Sequence, residues 1–145
     1  MPTEKAAGTI VFKKEGGKIY YLLLHSPRGM RWPAAYWDFP KGHVEKGERP
    51  LDTAKRETME ETGLANIEIA EGFEKGIRYF FKFEGKTILK FVTFFLARAV
   101  EGEIRVSSEH IGYQWAPYEQ AMDQLKFKNA KEILKKANNF LMKNG

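Results

Sequence analysis

The sequence contains no cysteine, which excludes disulfide bridges and thiolate zinc sites. This absence fits a reducing compartment, so we expect a cytoplasmic protein. A long hydrophobic run is also missing. Residues 1–17 hold one short apolar stretch broken by lysines, which is typical of neither a signal peptide nor a membrane span. We therefore expect a soluble protein with no membrane partner.

The composition indicates an ordinary globular domain. The chain has 145 residues, of which 43% are hydrophobic and 30% charged, and this balance excludes a disordered or fibrous protein. We predict a single domain over residues 1–145. A formal net charge of +5 favours an anionic ligand. Many lysines lie between residues 126 and 143, where we interpret them as the solvated face of a helix, so DNA binding is not expected. No oligomeric state is predicted.

The first part of the chain has the pattern of a β-hairpin followed by a loop. Residues 6–14 and 18–25 are apolar and β-branched and flank Glu15-Gly16-Gly17, a turn sequence. Residues 27–42 are rich in proline, glycine and aromatic side chains, which predicts a structured surface loop of the kind that often carries ligands. Two tryptophans are expected in the core, Trp37 and Trp115.

A helix is predicted from Pro50 to Thr62. Proline suits the first helical position, and Gly63 can adopt the left-handed conformation that ends a helix. The residues expected on its inward face are Leu51, Ala54 and Thr58.

The second half of the chain predicts further strands and two helices. The stretch from Ile67 to Val100 predicts two strands joined at Glu84-Gly85, and residues 113–117 predict a last short strand. Helices are predicted over 118–125 and 130–141. Together these elements predict an α/β or α+β domain in which a mixed sheet is layered with helices.

The predicted central helix carries a cluster of like charges. Glu57, Glu60 and Glu61 project from one face, and each like-charged pair at this spacing destabilises an isolated helix by about 0.2–0.5 kcal/mol. A divalent cation would offset this repulsion. Mg²⁺ prefers carboxylate oxygens and usually keeps several waters that a phosphate can displace. The cluster therefore indicates phosphate chemistry.

Residues 42–64 resemble the signature of the Nudix hydrolases, G-x(5)-E-x(7)-R-E-U-x-E-E-x-G-U with U apolar. The matching residues are Gly42, Glu48, Arg56, Glu57, Glu60, Glu61, Gly63 and Leu64. Thr58 stands where an aliphatic residue is usual, and we expect its methyl group to preserve the inward face. The resemblance implies the Nudix fold, a mixed sheet between helices in an α/β/α sandwich. It also implies hydrolysis of a nucleoside diphosphate linked to another group.

The resemblance assigns metal-binding roles to four residues. Glu57 and Glu61 would be the primary Mg²⁺ ligands, with Mn²⁺ as a substitute ion. Glu60 would be an additional ligand or bind the metal through water, and Lys41 would offer its backbone carbonyl. Phosphoanhydride hydrolysis requires charge neutralisation, in-line positioning and an activated water rather than covalent work from the protein.

Four other residues of this region have supporting or open roles. Arg56 and Glu48 should form an ion pair that orients the catalytic helix. Glu45 is either a solvated loop carboxylate or a metal contact. We interpret His43 as a loop spacer rather than a ligand.

Over residues 5–140 the chain is also similar to the asymmetric diadenosine tetraphosphate hydrolases. The similar segments are FPKGHVEKGE at 39–48, RET at 56–58, GKT at 85–87, SSEHIGYQW at 107–115 and LKFKNAK at 125–131. This similarity implies a substrate of two nucleosides joined by four phosphates. Water would attack the phosphorus fourth along from the retained end, giving a nucleoside triphosphate and a monophosphate.

The same similarity suggests further site residues. Glu109 matches the position of an additional metal-binding or base-like carboxylate, with plain loop solvation as the alternative. Lys41 and Lys86 would neutralise the polyphosphate. Tyr79 and Tyr113 would stack on adenine, although burial in the core is an equal interpretation for Tyr79. The predicted catalytic residues are Glu57, Glu60, Glu61 and Glu109.

Three alternatives to this hydrolase stay open at the level of sequence. The net positive charge is compatible with an RNA 5′-pyrophosphohydrolase, so the 5′ end of RNA is a second possible substrate. A non-catalytic nucleotide-binding module would not need the full set of glutamates. A purely structural acidic helix would need none of them.

Overall fold

The computed structural model describes residues 1–28 and 33–144, in which seven strands form one mixed sheet. The strands are β1 (Thr3–Glu15), β2 (Lys18–Ser26), β3 (Tyr36–Asp38), β4 (Lys41–His43), β5 (Ile67–Phe83), β6 (Lys86–Ala99) and β7 (Gly112–Pro117). The main order is β3-β2-β1-β6-β5, with β4 paired to β1 and β7 paired to β2. Strands β1 and β6 are parallel, and the other pairs in this part of the chain are antiparallel.

The sheet opens at its centre, and this opening places the signature region. Strands β1 and β2 pair only near their hairpin, from Phe12 opposite Tyr21 to the turn. Beyond that point β4 pairs with β1, where Lys41 lies opposite Gly8, and β3 pairs with β2. Because β6 and β7 occupy the other edges of β1 and β2, both short strands must lie between β1 and β2. Residues 36–43 therefore enter the middle of the sheet.

Helices cover both faces of the sheet, as predicted for an α/β/α sandwich. The helices are α1 (Pro50–Thr62), α2 (Tyr118–Gln124) and α3 (Lys128–Asn144). Ala6 packs in the largest core cluster with residues of α2 and α3, whereas the adjacent Ala7 packs with Ala54 of α1. Successive strand residues point to opposite faces. We refer to these two faces as the α3 face and the α1 face.

Helix α1 has the bounds predicted from the sequence. It begins at Pro50, and Gly63 follows it with φ 78° while its N–H donates to the Met59 carbonyl at 2.9 Å. Of the three predicted inward residues, Ala54 and Thr58 are fully buried and Leu51 is half-buried.

Thr58 is accommodated by a partner on β1. The Thr58 hydroxyl donates to the Ala54 carbonyl at 2.7 Å. Its oxygen lies 2.6 Å from that of Thr9, so the Thr9 hydroxyl donates to Thr58. The departure from the signature is therefore matched by a buried hydrogen bond in addition to the expected methyl packing.

The other predicted elements are confirmed with small changes. Both hairpins and the last strand are present, and α3 begins two residues earlier than expected. The predicted loop was wrong in one respect, because it contains β3 and β4; residues 29–32 of that loop lie outside the described residues. Trp37 and Trp115, expected in the core, are only half-buried, and Trp37 stacks on His25 with ring centroids 4.2 Å apart. In the described chain no helix is long and apolar enough to span a membrane.

Candidate active site

A cavity lies between β4, α1 and the loop that precedes β7. Its lining includes four carboxylates, and we call it the carboxylate cavity. The lining residues are Lys41, Gly42, His43, Glu45, Arg56, Glu57, Glu61, Lys90 and Glu109. The opening of the sheet brings residues 41–43 close to α1, and the helix supplies Glu57 and Glu61.

Glu57 and Glu61 stand one helical turn apart, and both side chains line the cavity. Burial raises the pKa of Glu61, and the charge of Glu57 raises this pKa further. A backbone hydrogen bond from Lys41 acts in the opposite direction. Two ionised carboxylates at this spacing repel each other when no cation is bound.

Gly42 permits the close approach of β4 to Glu57. A Cβ built on Gly42 would overlap the Glu57 carboxyl group. Any side chain at this position would displace the carboxylate or the strand. The glycine of the signature is therefore required by contact with a site residue rather than by an unusual backbone conformation.

Arg56 organises the side of the cavity. Its guanidinium donates to both oxygens of Glu48, at 2.7 and 3.0 Å, which confirms the predicted ion pair. It also donates to the His43 carbonyl at 3.1 Å and to Glu57 at 2.9 Å. These bonds tie the helix to the loop before it and to β4. Arg56 holds the pKa of Glu48 at about 2, and the Thr53 hydroxyl contributes to this lowering.

Two more acidic side chains contact Arg56 at the rim. Glu60 lies 3.2 Å from the guanidinium, but its side chain is 51% exposed and does not line the carboxylate cavity. Glu45 lies 3.1 Å away and lines the cavity while remaining largely exposed. Glu60 is therefore the predicted ligand that the fold places farthest outward, and its role stays a prediction.

The loop before β7 brings Glu109 to the cavity. The Arg105 N–H donates to the Thr62 carbonyl at 2.8 Å and the Ser107 N–H donates to the Glu61 carbonyl at 3.3 Å, so the loop is fixed to the end of α1. His110, which sequence reasoning missed, lies with Nε2 3.7 Å from Glu61 Oε1. Burial lowers the pKa of His110, which favours its neutral form.

The hairpin of β5 and β6 carries an aromatic surface beside these carboxylates. Tyr79 lies opposite Lys90, Phe81 opposite Ile88, and Phe83 opposite Lys86. Because Ile77 and Val92, two residues along each strand, pack in the α3-face core, these pairs also point to the α3 face. We call Tyr79, Phe81 and Phe83 the aromatic ribbon.

The aromatic ribbon and the carboxylate cavity are continuous. Tyr79 and Phe81 line two further cavities, one shared with Lys41 and the other shared with His43 and Lys90. Lys41, His43 and Lys90 also line the carboxylate cavity. A linear ligand can therefore contact the carboxylates and the aromatic side chains together.

Four of the eight predicted site residues face the carboxylate cavity, namely Lys41, Glu57, Glu61 and Glu109. The Lys41 ammonium forms an ion pair with Asp38 at 3.2 Å and lies 6.0 Å from the Tyr79 ring centroid. Tyr79 lies in the ribbon and is half-buried. The predicted roles of these residues stay predictions.

Lys86 and Tyr113 lie away from the carboxylate cavity. Lys86 is four residues beyond Lys90 on β6, about 13 Å along the strand. Tyr113 is 46% exposed and pairs with Leu24, whose side chain belongs to the α1-face core. Tyr113 and Tyr79 therefore lie on opposite faces of the sheet, so they cannot enclose the same base without a rearrangement.

The donor set fits a hard divalent cation. Within residues 1–28 and 33–144, no three Asp, Glu or His side chains converge closely enough to enclose a metal ion. Mg²⁺ usually takes one or two carboxylates and fills its remaining positions with water and substrate phosphate. Glu57 and Glu61 supply that pair, and a cation between them would offset their mutual repulsion.

A mixed sheet between helices, with paired glutamates and three cationic side chains lining one cavity, has the parts that a phosphoanhydride hydrolase requires. A model of the NUDIX domain matches residues 2–137, so the chain belongs to the Nudix family. It is a Nudix pyrophosphohydrolase, which confirms the predicted enzyme. Nudix hydrolases generally use divalent metals.

Several relatives cover nearly the whole chain. The asymmetrical bis(5′-nucleosyl)-tetraphosphatase of Mus musculus is 35% identical over an alignment of 147 positions, gaps included, that covers 94% of this chain and 95% of that protein. A crystal structure of a C. elegans Ap4A hydrolase binary complex superposes with a TM-score of 0.82 at 32% identity, covering 96% of this chain and 98% of that one. The RNA pyrophosphohydrolase of Bartonella bacilliformis is 34% identical over 82 residues, 56% of this chain and 48% of that protein.

Proposed function

We propose that this enzyme cleaves dinucleoside tetraphosphates asymmetrically, converting diadenosine tetraphosphate to ATP and AMP with Mg²⁺ as its metal. The continuity of the carboxylate cavity with the aromatic ribbon carries this proposal. A polyphosphate can lie along the carboxylates while a base stacks on the ribbon, since aromatic faces hold bases with little regard to their identity. The full-length relatives named asymmetrical tetraphosphatases support the same substrate.

The chain's own residues provide binding, orientation and control of the attacking water. Glu57 and Glu61 would hold the metal, which neutralises phosphate charge when bound. Lys90 and Lys41 line the cavity and add positive charge along the path of the polyphosphate. Glu109 faces the same space and would orient the attacking water or accept its proton.

Hydrolysis in ¹⁸O-labelled water with Mg²⁺ tests the reaction. We expect equal amounts of ATP and AMP, with the label in AMP, because attack at the fourth phosphorus leaves the new oxygen on the monophosphate. Formation of two ADP molecules, or no turnover when Mg²⁺ is present, would contradict the proposal.

RNA with a 5′-triphosphate is the second candidate substrate. The similarity to an RNA pyrophosphohydrolase and the net charge of +5 favour it. That similarity covers little more than half of the chain, whereas the tetraphosphatases match almost all of it. We expect kcat/KM to be higher for diadenosine tetraphosphate than for triphosphorylated RNA in the same buffer. The reverse order would make RNA the substrate.

A further inference from the structure

Backbone hydrogen bonds hold the loop at residues 105–111 to α1 at one end and to β2 at the other. Besides the bonds from Arg105 and Ser107 to the last carbonyls of the helix, the Ile111 N–H donates to the His25 carbonyl at 2.8 Å. Inside the loop, the His110 N–H donates to the Ser107 carbonyl at 3.1 Å and forms a turn. The His110 side chain is only 10% exposed and points toward Glu61.

Ser107 Oγ is placed to influence which nitrogen of His110 carries the proton. The Glu109 N–H donates to Ser107 Oγ at 3.4 Å. With that oxygen accepting, the Ser107 hydroxyl is free to donate to His110 Nδ1, 3.2 Å away. Neutral imidazole has one donor and one acceptor nitrogen, so an accepting Nδ1 requires a protonated Nε2. This Nε2 is the atom that faces Glu61.

We propose that His110 is a positioning residue for Glu61, acting as a donor whose tautomer is held by Ser107. The Nε2–Oε1 separation of 3.7 Å exceeds a hydrogen bond and closes with a carboxylate shift of about 0.5 Å. His110 would then orient one oxygen of Glu61 and leave the other for the metal.

This inference rests on the proposed role of Glu61 as a metal ligand, and its test does not require a substrate. Three variants separate hydrogen bonding from packing. His110→Gln keeps an N–H donor near the position of Nε2, His110→Leu fills similar space without a donor, and Ser107→Ala removes the contact that sets the tautomer. His25→Gln is the matched control, since that histidine stacks on Trp37 outside the carboxylate cavity.

Mn²⁺ affinity, measured by titration calorimetry on metal-free protein, is the first readout. We expect His110→Leu to weaken binding about 10-fold or more, because removal of such supporting contacts typically costs 10- to 100-fold. His110→Gln should recover most of this loss. Ser107→Ala should cost a smaller factor, and combining it with His110→Leu should add nothing. His25→Gln should bind Mn²⁺ as the unmodified protein does.

Three outcomes would overturn the proposal. Unchanged Mn²⁺ affinity in His110→Leu would remove the positioning role, and equal losses in the Gln and Leu variants would reduce His110 to a packing residue. Additive losses for Ser107 and His110 would show that Ser107 does not act through the histidine. Thermal unfolding of each metal-free variant separates such losses from misfolding. If the protein binds Mn²⁺ but does not cleave diadenosine tetraphosphate, only the proposed substrate fails.

Discussion

Glu61 is a carboxyl group with only 6% of its surface exposed, and the charge of the neighbouring Glu57 helps to raise its pKa. Such a group is unfavourable when ionised and unpaired, because burial removes its water. A divalent cation supplies the missing charge. Glu61 therefore lowers the stability of the metal-free protein at pH values above the usual pKa of a glutamate. A bound divalent metal would stabilise its ionised form.

Replacing Glu61 by Gln should lower turnover of diadenosine tetraphosphate by orders of magnitude and leave the fold intact. The amide keeps the shape of the side chain but loses the charge that binds metal. Steady-state kinetics at saturating Mg²⁺ and circular dichroism check the two statements. Glu132→Gln on the exposed side of α3 is the control and should keep full activity. Full activity in Glu61→Gln would remove the proposed metal site.

The metal-free protein should lose stability as the pH rises above 4.5, the ordinary pKa of a glutamate. The pKa of Glu61 is raised in the folded state, so the folded protein binds the proton more tightly than the unfolded chain does. The stabilisation is complete below 4.5 and is lost as the pH rises through the raised pKa. Glu48 acts oppositely, since its low pKa adds stability above 4.5 that is lost toward pH 2.

Urea unfolding in EDTA at increasing pH measures this dependence. The unmodified protein should show a falling free energy of unfolding, and Glu61→Gln a flatter profile. Saturating Mg²⁺ should remove most of the fall. Identical profiles for the two proteins would contradict the raised pKa.

Replacing Gly42 by Ala should reduce kcat about 100-fold, the scale expected when a site group moves by about 1 Å. The new methyl group would meet the Glu57 carboxyl group, whose flexible side chain can move aside without unfolding the protein. Kinetics and thermal unfolding measure the two effects. Gly112→Ala is the matched control, because its added Cβ would meet no atom within 4 Å. Equal kinetics for the two variants would contradict the close approach.

Some of these site residues were visible in the sequence and others were not. Glu57 and Glu61 follow from helical spacing, because they lie one turn apart on a single element. His110 and Lys90 reach the cavity only through the path of a loop and the pairing of distant strands. The sequence around His110, which follows Glu109, and around Lys90, which lies among apolar strand residues, does not indicate that either side chain reaches the cavity. The exposure of Glu60 likewise depends on its contact with Arg56.

At the scale of elements, α1 was predictable because its ends are encoded locally. Pro50 and Gly63 mark the first turn and the left-handed termination without help from the rest of the fold. Strands β3 and β4 have three residues each, too few for an alternation pattern to show. They exist because β1 and β2 diverge: β3 pairs with β2 across the preceding loop, and β4 pairs with β1, which lies much earlier in the chain. Long-range pairing of this kind leaves no local signal.

Thr9 and Thr58 join β1 to α1. In a double-mutant cycle at these positions, the two single variants should lose unequal amounts of stability. Thr58→Val leaves the buried Thr9 hydroxyl without its acceptor, at a cost of about 1–3 kcal/mol in the free energy of unfolding. Thr9→Val should cost less, because Thr58 still donates to Ala54. The double variant should be close to the unmodified protein. Urea unfolding gives all three values, and additive losses would contradict the donor assignment.

At the scale of the whole molecule, the two halves of the site come from opposite sides of the sheet opening. The carboxylates belong to α1, and the aromatic ribbon belongs to the hairpin of β5 and β6 on the α3 face. Short strand β4 joins them, since its residues Lys41 and His43 line cavities on both sides. A linear polyphosphate between two nucleosides suits this arrangement better than a compact ligand does.

A crystal grown with Mn²⁺ and a non-hydrolysable dinucleoside tetraphosphate shows whether Glu57 and Glu61 hold the metal against the phosphate chain. Anomalous diffraction locates the manganese independently of the protein atoms. We expect a peak between the carboxylates of Glu57 and Glu61 beside Lys41, in contact with the phosphate chain. A peak elsewhere, or no peak with both glutamates turned toward Arg56, would contradict the proposed metal site.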